Sequence, residues 1–88
     1  MKIKAGFILR DVAGKTFVVA TGELSKKFNG MITLNETGKF IWNLLQNDIE
    51  KEAIVDEILK AYDIQDRALV EADVDKFVAK LAGDNILE

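Results

Sequence analysis

Short runs of β-prone residues, separated by polar turn residues, occupy the first 34 positions of the chain. Ala5–Arg10 and Thr16–Ala20 are apolar runs that flank the turn residues Asp11–Gly14, a pattern typical of a β-hairpin. Met31–Leu34 predicts a third, shorter strand, and the polar segment Thr21–Gly30 predicts the loop before it. We therefore expect three strands before the first helix.

Helical spacing begins abruptly after Asn35. Asn is a good N-cap because its side chain accepts a hydrogen bond from an N–H group of the first helical turn. Gly38 costs about 1 kcal/mol relative to Ala inside a helix, so its presence indicates close backbone packing. The expected apolar stripe is Phe40, Ile41, Leu44 and Leu45. Trp42 falls beside that stripe and is expected to be a partly exposed core residue.

Two further helices are predicted in the second half of the chain. They are Glu50–Tyr62 and Asp66–Ala82, the latter with its first residue as cap and Gly83 as its stop. Ile86 and Leu87 are expected to return an apolar tail to the domain. The two stripes are Ile54, Val55, Ile58, Leu59 and Tyr62, and then Leu69, Val70, Val74, Phe77, Val78 and Leu81.

This order of elements predicts an α+β fold, a three-stranded antiparallel sheet followed by three helices. The strands are antiparallel because no helix crossover joins them. Eighty-eight residues, 49% of them hydrophobic, are enough for one small packed domain over residues 1–88. A small open sheet leaves two strand edges, and what covers those edges becomes the functional question.

The residue types present argue against catalysis. The chain has no Cys and no His, which removes thiolate chemistry, cysteine-ligated zinc or iron–sulfur, and the commonest general base. Asp73 and Asp75 are two positions apart and face different sides of a helix, and Asp56 and Glu57 are adjacent on an exposed face. Neither pair indicates an acid/base or metal site. We expect a non-enzyme without catalytic residues, cofactors, quinone or metal.

Charge is divided unevenly along the chain. Residues 1–47 carry seven Lys/Arg and three Asp/Glu, net +4, whereas residues 48–88 carry five and twelve, net −7. The acidic half argues against a nucleic-acid partner, because phosphates need positive contacts. No apolar run approaches the roughly 20 residues of a membrane span, and the N-terminus lacks a signal-peptide pattern. We expect a cytoplasmic protein without membrane contact.

Several short motifs follow one another along the chain in a distinctive order. They are Leu34-Asn35-Glu36-Thr37-Gly38, Ile41-Trp42, Asp73-Val74, Phe77, Leu81 and Ile86-Leu87. In this order and spacing the chain resembles the PqqD-like family, named for the small protein of pyrroloquinoline quinone (PQQ) biosynthesis, over essentially its whole length. The resemblance implies a winged-helix-like domain that binds the leader of a ribosomally made precursor peptide. It also implies a modifying enzyme as partner, often a radical S-adenosylmethionine enzyme.

The resemblance further implies where the peptide binds. In such domains the peptide adds a strand beside the third strand and packs against the third helix. Carried over to this sequence, the peptide-binding residues are Met31, Ile32, Thr33, Leu34, Asp73, Lys76, Phe77 and Lys80.

The side-chain repeat of a strand or helix predicts whether each of these residues faces the core or the outside. Ile32 and Leu34 share a strand face and are expected in the core, which leaves Met31 and Thr33 facing outward. On the third helix, Val74 and Phe77 belong to the apolar stripe, which favours core positions for both. Asp73 and Lys80 flank that stripe, and Lys76 lies on the polar side of the helix.

Two other functions are compatible with the element order. The first is a winged-helix DNA-binding regulator, but the third helix sets Arg67, Lys76 and Lys80 against four acidic residues, so it is net negative. Retention on heparin at low salt would favour this function. The second is a structural domain that forms a homodimer through a free strand edge, which light scattering would reveal.

Overall fold

The structure is a computed structural model that describes residues 1–22 and 32–88. Its elements are β1 (Phe7–Val12), β2 (Lys15–Ala20), β3 (Ile32–Leu34), α1 (Glu36–Leu44), α2 (Lys51–Tyr62) and α3 (Arg67–Gly83). The strands form one sheet in the order β1-β2-β3 with both pairs antiparallel. The predicted α+β fold is confirmed. Met31 and positions 23–30 of the predicted loop lie outside the described residues.

The turn between β1 and β2 is shorter than predicted. Ala13 and Gly14 form it alone, with φ of 51° and 80°. Positive φ at both residues is the geometry of a type I′ turn, whose twist matches that of the strands it joins. Asp11 and Val12 therefore extend β1 instead of forming the turn, and β1 begins at Phe7, two residues later than predicted.

The helices cover one face of the sheet. Ile32 and Leu34 are buried while Thr33 between them is exposed, which confirms the predicted alternation along β3. The hydroxyl of Thr16, the buried polar residue of the described core, donates a hydrogen bond to the carboxylate of Asp11 across the hairpin. The core is completed by Ile3, Phe7, Val18, Ile41, Trp42, Leu45, Ile54, Val55, Ile58, Val70, Val74, Leu81 and Ile86.

The buried face of α1 differs from the predicted stripe. Asn35 caps the helix as predicted, its side-chain oxygen accepting from the Gly38 N–H at 2.8 Å. The residues on the buried face, at helical spacing, are Gly38, Ile41, Trp42 and Leu45. Trp42 is only 3% exposed, so the prediction of partial exposure is wrong. The buried stripe begins at Gly38, which has no side chain and is therefore missed when only apolar side chains are considered. For that reason the prediction centres on Phe40 and Leu44, which are only partly buried.

Both later helices lie within one residue of their predicted bounds, and Asp66 caps α3 as predicted, accepting from the Leu69 N–H at 3.1 Å. Two stripe residues are nevertheless exposed: Tyr62 by 42% and Leu69 by 57%. Both lie beside the connection between α2 and α3, at the end of the helix pair, where few neighbours can cover a side chain. Tyr62 instead meets the ring of Phe40 edge-on, with centroids 5.5 Å apart.

The last helix ends later than predicted. Gly83 is still helical, and Asn85, with φ of 61°, supplies the left-handed residue at which the chain turns. Asn tolerates this conformation better than most residues, so glycine was not required here. The apolar tail is confirmed, because Ile86 is fully buried and Leu87 forms an antiparallel bridge with Ile3.

Candidate functional site

The register of the sheet fixes which backbone groups of β2 face each neighbour. The Thr21 N–H donates to the Gly6 carbonyl at 2.7 Å, so these two residues form a hydrogen-bonded pair continuing the β1–β2 ladder. Such pairs recur at every second residue of an antiparallel ladder. Phe17 therefore directs its N–H and C=O at β1, and Thr16 and Val18 direct theirs at β3.

The same alternation orients the backbone of β3, an edge strand of the sheet. Leu34 pairs with Thr16 and Ile32 pairs with Val18, so both of these β3 residues use their backbone groups in the ladder. Thr33 lies between them and directs its N–H and C=O away from the sheet. Its side chain is exposed as well. Thr33 therefore offers one donor and one acceptor to a strand added at this edge.

A groove between α1 and α3 adjoins the end of β3. Its cavity volume is about 390 Å³, within the range of about 300–1,000 Å³ typical of small-ligand pockets. The residues that line it are Asn35, Thr37, Gly38, Ile41, Asp73, Lys76, Phe77 and Lys80. The four site residues predicted on α3 are thus brought together in one groove. The described strand residues lie beside it rather than in it.

The floor of the groove depends on a glycine. A Cβ on Gly38 would lie 3.4 Å from the Phe77 ring and 3.2 Å from the side-chain oxygen of Asn35. The Phe77 ring thus lies close to the backbone of α1, which confirms the predicted close packing, and an added Cβ would chiefly crowd the Asn35 cap oxygen. The expected core position is confirmed for Val74, which is fully buried, but Phe77 is only partly buried and lines the groove.

Sequence reasoning missed the α1 side of this groove. From sequence, Asn35 is a cap, Gly38 a point of close packing and Ile41 a core residue, and Thr37 has no role beyond the family motif. The signal that could have found them is the glycine in the first turns of α1, because its cost in a helix implies that another element comes close.

Two acidic residues of α3, Asp73 and Asp75, face different sides, as their spacing predicts. Asp73 lines the groove, whereas Asp75 forms a 2.6 Å ion pair with Lys51 of α2. That hydrogen-bonded carboxylate raises the pKa of Lys51 above its ordinary value. The charged residues of α3 are therefore divided between the groove and the contact with α2.

Arg67 completes the contact between the two helices. Its guanidinium lies 2.7 Å from the carboxylate of Asp56 on α2 and 3.0 Å from that of Glu71. Hydrogen bonds to Asp56 and then Glu71 raise the pKa of Arg67. These exposed pairs are individually weak, and of the two that Arg67 forms, the one with Asp56 joins α3 to α2 whereas the one with Glu71 lies within α3.

No metal site is apparent within residues 1–22 and 32–88, where no three carboxylates come together to hold an ion. In the same part of the chain, no helix is both long and apolar enough to cross a membrane. The groove has a partly apolar floor, three charged side chains and an adjoining strand edge.

Fold and groove together define the class of the protein: a small α+β domain in which an open strand edge adjoins a helix-lined groove. The family model described as Coenzyme PQQ synthesis protein D (PqqD) matches residues 16–87, and the chain belongs to this family. A similar solved structure is "TbiB1 in Complex with the TbiA(beta) Leader Peptide", with 28% sequence identity and a TM-score of 0.76. The match covers 100% of this chain and 95% of the other. A comparison with curated proteins gave no match.

Proposed function

We propose that this protein binds the leader of a ribosomally made precursor peptide and presents it to a modifying enzyme, without catalysing a reaction itself. The observation that carries the proposal is the outward-facing backbone of Thr33 beside the groove. Membership of the PqqD family and the likeness to a protein solved with a leader peptide support it.

The proposed mode of binding is strand addition to β3. The peptide pairs with the N–H and C=O of Thr33, and its alternate side chains point toward the groove. Met31 belongs to the proposed strand site although it lies outside the described residues, and Ile32 and Leu34 contribute by holding β3 on the core. On α3, the proposed contacts are Asp73, Lys76, Phe77 and Lys80.

The proposed partner enzyme is a radical S-adenosylmethionine enzyme or another peptide-modifying enzyme, as the resemblance described under Sequence analysis implies. All bond-making chemistry belongs to that enzyme in this proposal, since the chain has neither Cys nor His to supply a nucleophile or a general base. We place this interaction in the cytoplasm, where a ribosomally made peptide first becomes available.

A titration of nitrogen-15-labelled protein tests the proposal. The ligands are synthetic peptides from the short reading frames beside the gene. The expected result is amide shifts concentrated at Thr33 and its neighbours in β3 and along positions 73–80 of α3. A folded sample without shifts from any candidate would contradict the proposal, and strong retention on heparin at low salt would favour a DNA-binding function instead.

A homodimer through a strand edge is a second candidate. Two exposed apolar side chains on β1, the other edge strand, support it. Ile8 and Val12 are 48% and 51% exposed on this second edge strand. Size-exclusion chromatography with light scattering, with and without peptide, distinguishes the edges. A dimer formed through β3 should dissociate when peptide binds, whereas one formed through β1 should persist.

A further inference from the structure

The charged side chains of the groove follow a definite order along α3. Asp73, Phe77 and Lys80 are spaced by four and three residues, so they lie on one face of the helix. Phe77 thus has a carboxylate one turn before it and an ammonium one turn after it. Lys76 lies alongside and adds a second ammonium to the same rim.

These charges remain available to a ligand. In the part of the chain that the structure describes, neither Asp73 nor Lys76 has an ion-pair partner, unlike Asp75 and Arg67 on the same helix. Lys80 does have one, Asp84 at 3.2 Å, but pairs exposed to this degree contribute little and can be exchanged for another carboxylate. The groove lining carries two lysines and one aspartate, and Asp84 outside the lining offsets Lys80, so Lys76 is the chief positive charge available to a ligand.

The spacing on the helix fits the spacing of a strand. Side chains two positions apart on a β-strand share a face and are about 7 Å apart. Phe77 and Lys80 are separated by about 4.5 Å along the axis of α3, and the flexible lysine side chain spans the difference. In a peptide strand that runs along α3, an apolar side chain seated over Phe77 would therefore place the side chain two positions away beside the lysines on one side and beside Asp73 on the other.

We infer that the groove selects peptides in which an acidic side chain stands two positions from an apolar anchor. The anchor packs on Phe77 where Gly38 leaves room, and the carboxylate pairs with Lys76 and Lys80. This inference rests on the proposed peptide-binding function and adds the chemistry of the ligand to it.

Selection from a display library of randomised twelve-residue peptides tests the inference, and the natural leader need not be identified first. The wild-type protein should enrich Asp or Glu two positions from an aliphatic or aromatic residue. The charge-reversed variant K76E/K80E should enrich Lys or Arg at that position instead. Enriched peptides with no acidic preference, or the same preference in both proteins, would overturn the inference while leaving peptide binding intact. Failure to enrich any peptide would overturn the proposed function itself.

Affinity measurements make the comparison quantitative. For a selected peptide, K76E/K80E should weaken binding by roughly tenfold at low salt, and the difference should shrink as salt screens the charges. A peptide whose acid is replaced by Lys should recover affinity for that variant. The matched control is K15E/K60E, which makes the same charge change at exposed positions outside the groove. An equal loss in the control would show a general charge effect and overturn the inference.

Discussion

Replacing Thr33 with proline is the sharpest test of strand addition, because the register predicts that it removes a donor to the peptide but no hydrogen bond of the folded sheet. The Thr33 N–H points away from the sheet, so proline removes no hydrogen bond of the β2–β3 ladder. Proline is tolerated in edge strands when its nitrogen faces solvent in this way. A strand added at β3 would, however, lose the donor that it needs at this position.

The expected magnitudes follow from that geometry. Loss of one backbone hydrogen bond is worth about 0.5–1.5 kcal/mol, which weakens peptide binding by roughly twofold to twelvefold. The proline ring also occupies space on the side where the peptide approaches, so the upper end of that range is expected. The stability of the free protein should fall by only about 1 kcal/mol, a decrease in Tm of about 4–8 °C for a domain of this size.

Leu34→Pro and Thr33→Val are the matched controls. Leu34 is buried and its N–H faces β2, so proline there removes a ladder donor and a core side chain and should unfold much of the population. Thr33→Val keeps the N–H and should bind peptide nearly as the wild type does. Thermal unfolding and calorimetric titration with the same peptide measure both effects. A folded Thr33→Pro variant with unchanged affinity would refute strand addition at β3, and one as unstable as Leu34→Pro would refute the assigned register.

Three further predictions concern α1 and the contact between α2 and α3. In Gly38→Ala, a helix-propensity gain of about 1 kcal/mol is opposed by the 3.2 Å approach of the new Cβ to the Asn35 cap oxygen, so stability should change little. The added methyl group takes up space beside Phe77 and should weaken peptide binding, and tighter binding would contradict this. Fluorescence of buried Trp42 should be blue-shifted in the native state and move to the red on unfolding, whereas a red-shifted native spectrum would indicate exposure. Asp75 raises the pKa of Lys51 in the folded protein. The ion pair therefore stabilises the fold fully below the unfolded-state pKa of Lys51, about 10.4, and this stabilisation is lost as pH rises through the folded-state pKa of Lys51. Wild type should therefore lose more stability than Lys51→Gln in alkaline titrations, and parallel curves would contradict the pairing.

Local patterns were sufficient for the order and ends of most elements. Asn35 and Asp66 cap their helices because the groups that they satisfy lie within the next turn of the same segment. The alternate burial of Ile32 and Leu34 follows from the two-residue period of a strand in the same way. The four α3 residues of the groove were obtained from the family resemblance, and the structure brings them together at one place.

Local sequence patterns could not predict features that depend on a neighbouring element of the fold. The outward direction of the Thr33 backbone follows from the ladder beginning at the β1–β2 turn, which lies outside the β3 segment. The burial of Trp42 and the exposure of Leu69 depend on which helix face another element covers.

The sequence alone determined an α+β chain without the side chains for thiol or histidine chemistry, with capped helices and a short third strand. Only the tertiary structure decided that Phe77 would lie against Gly38 and open a groove beside that strand. The physical reason is the range of the interactions. Caps and periodicity act within a few residues of one segment, whereas the groove exists only where two segments, distant in sequence, approach each other.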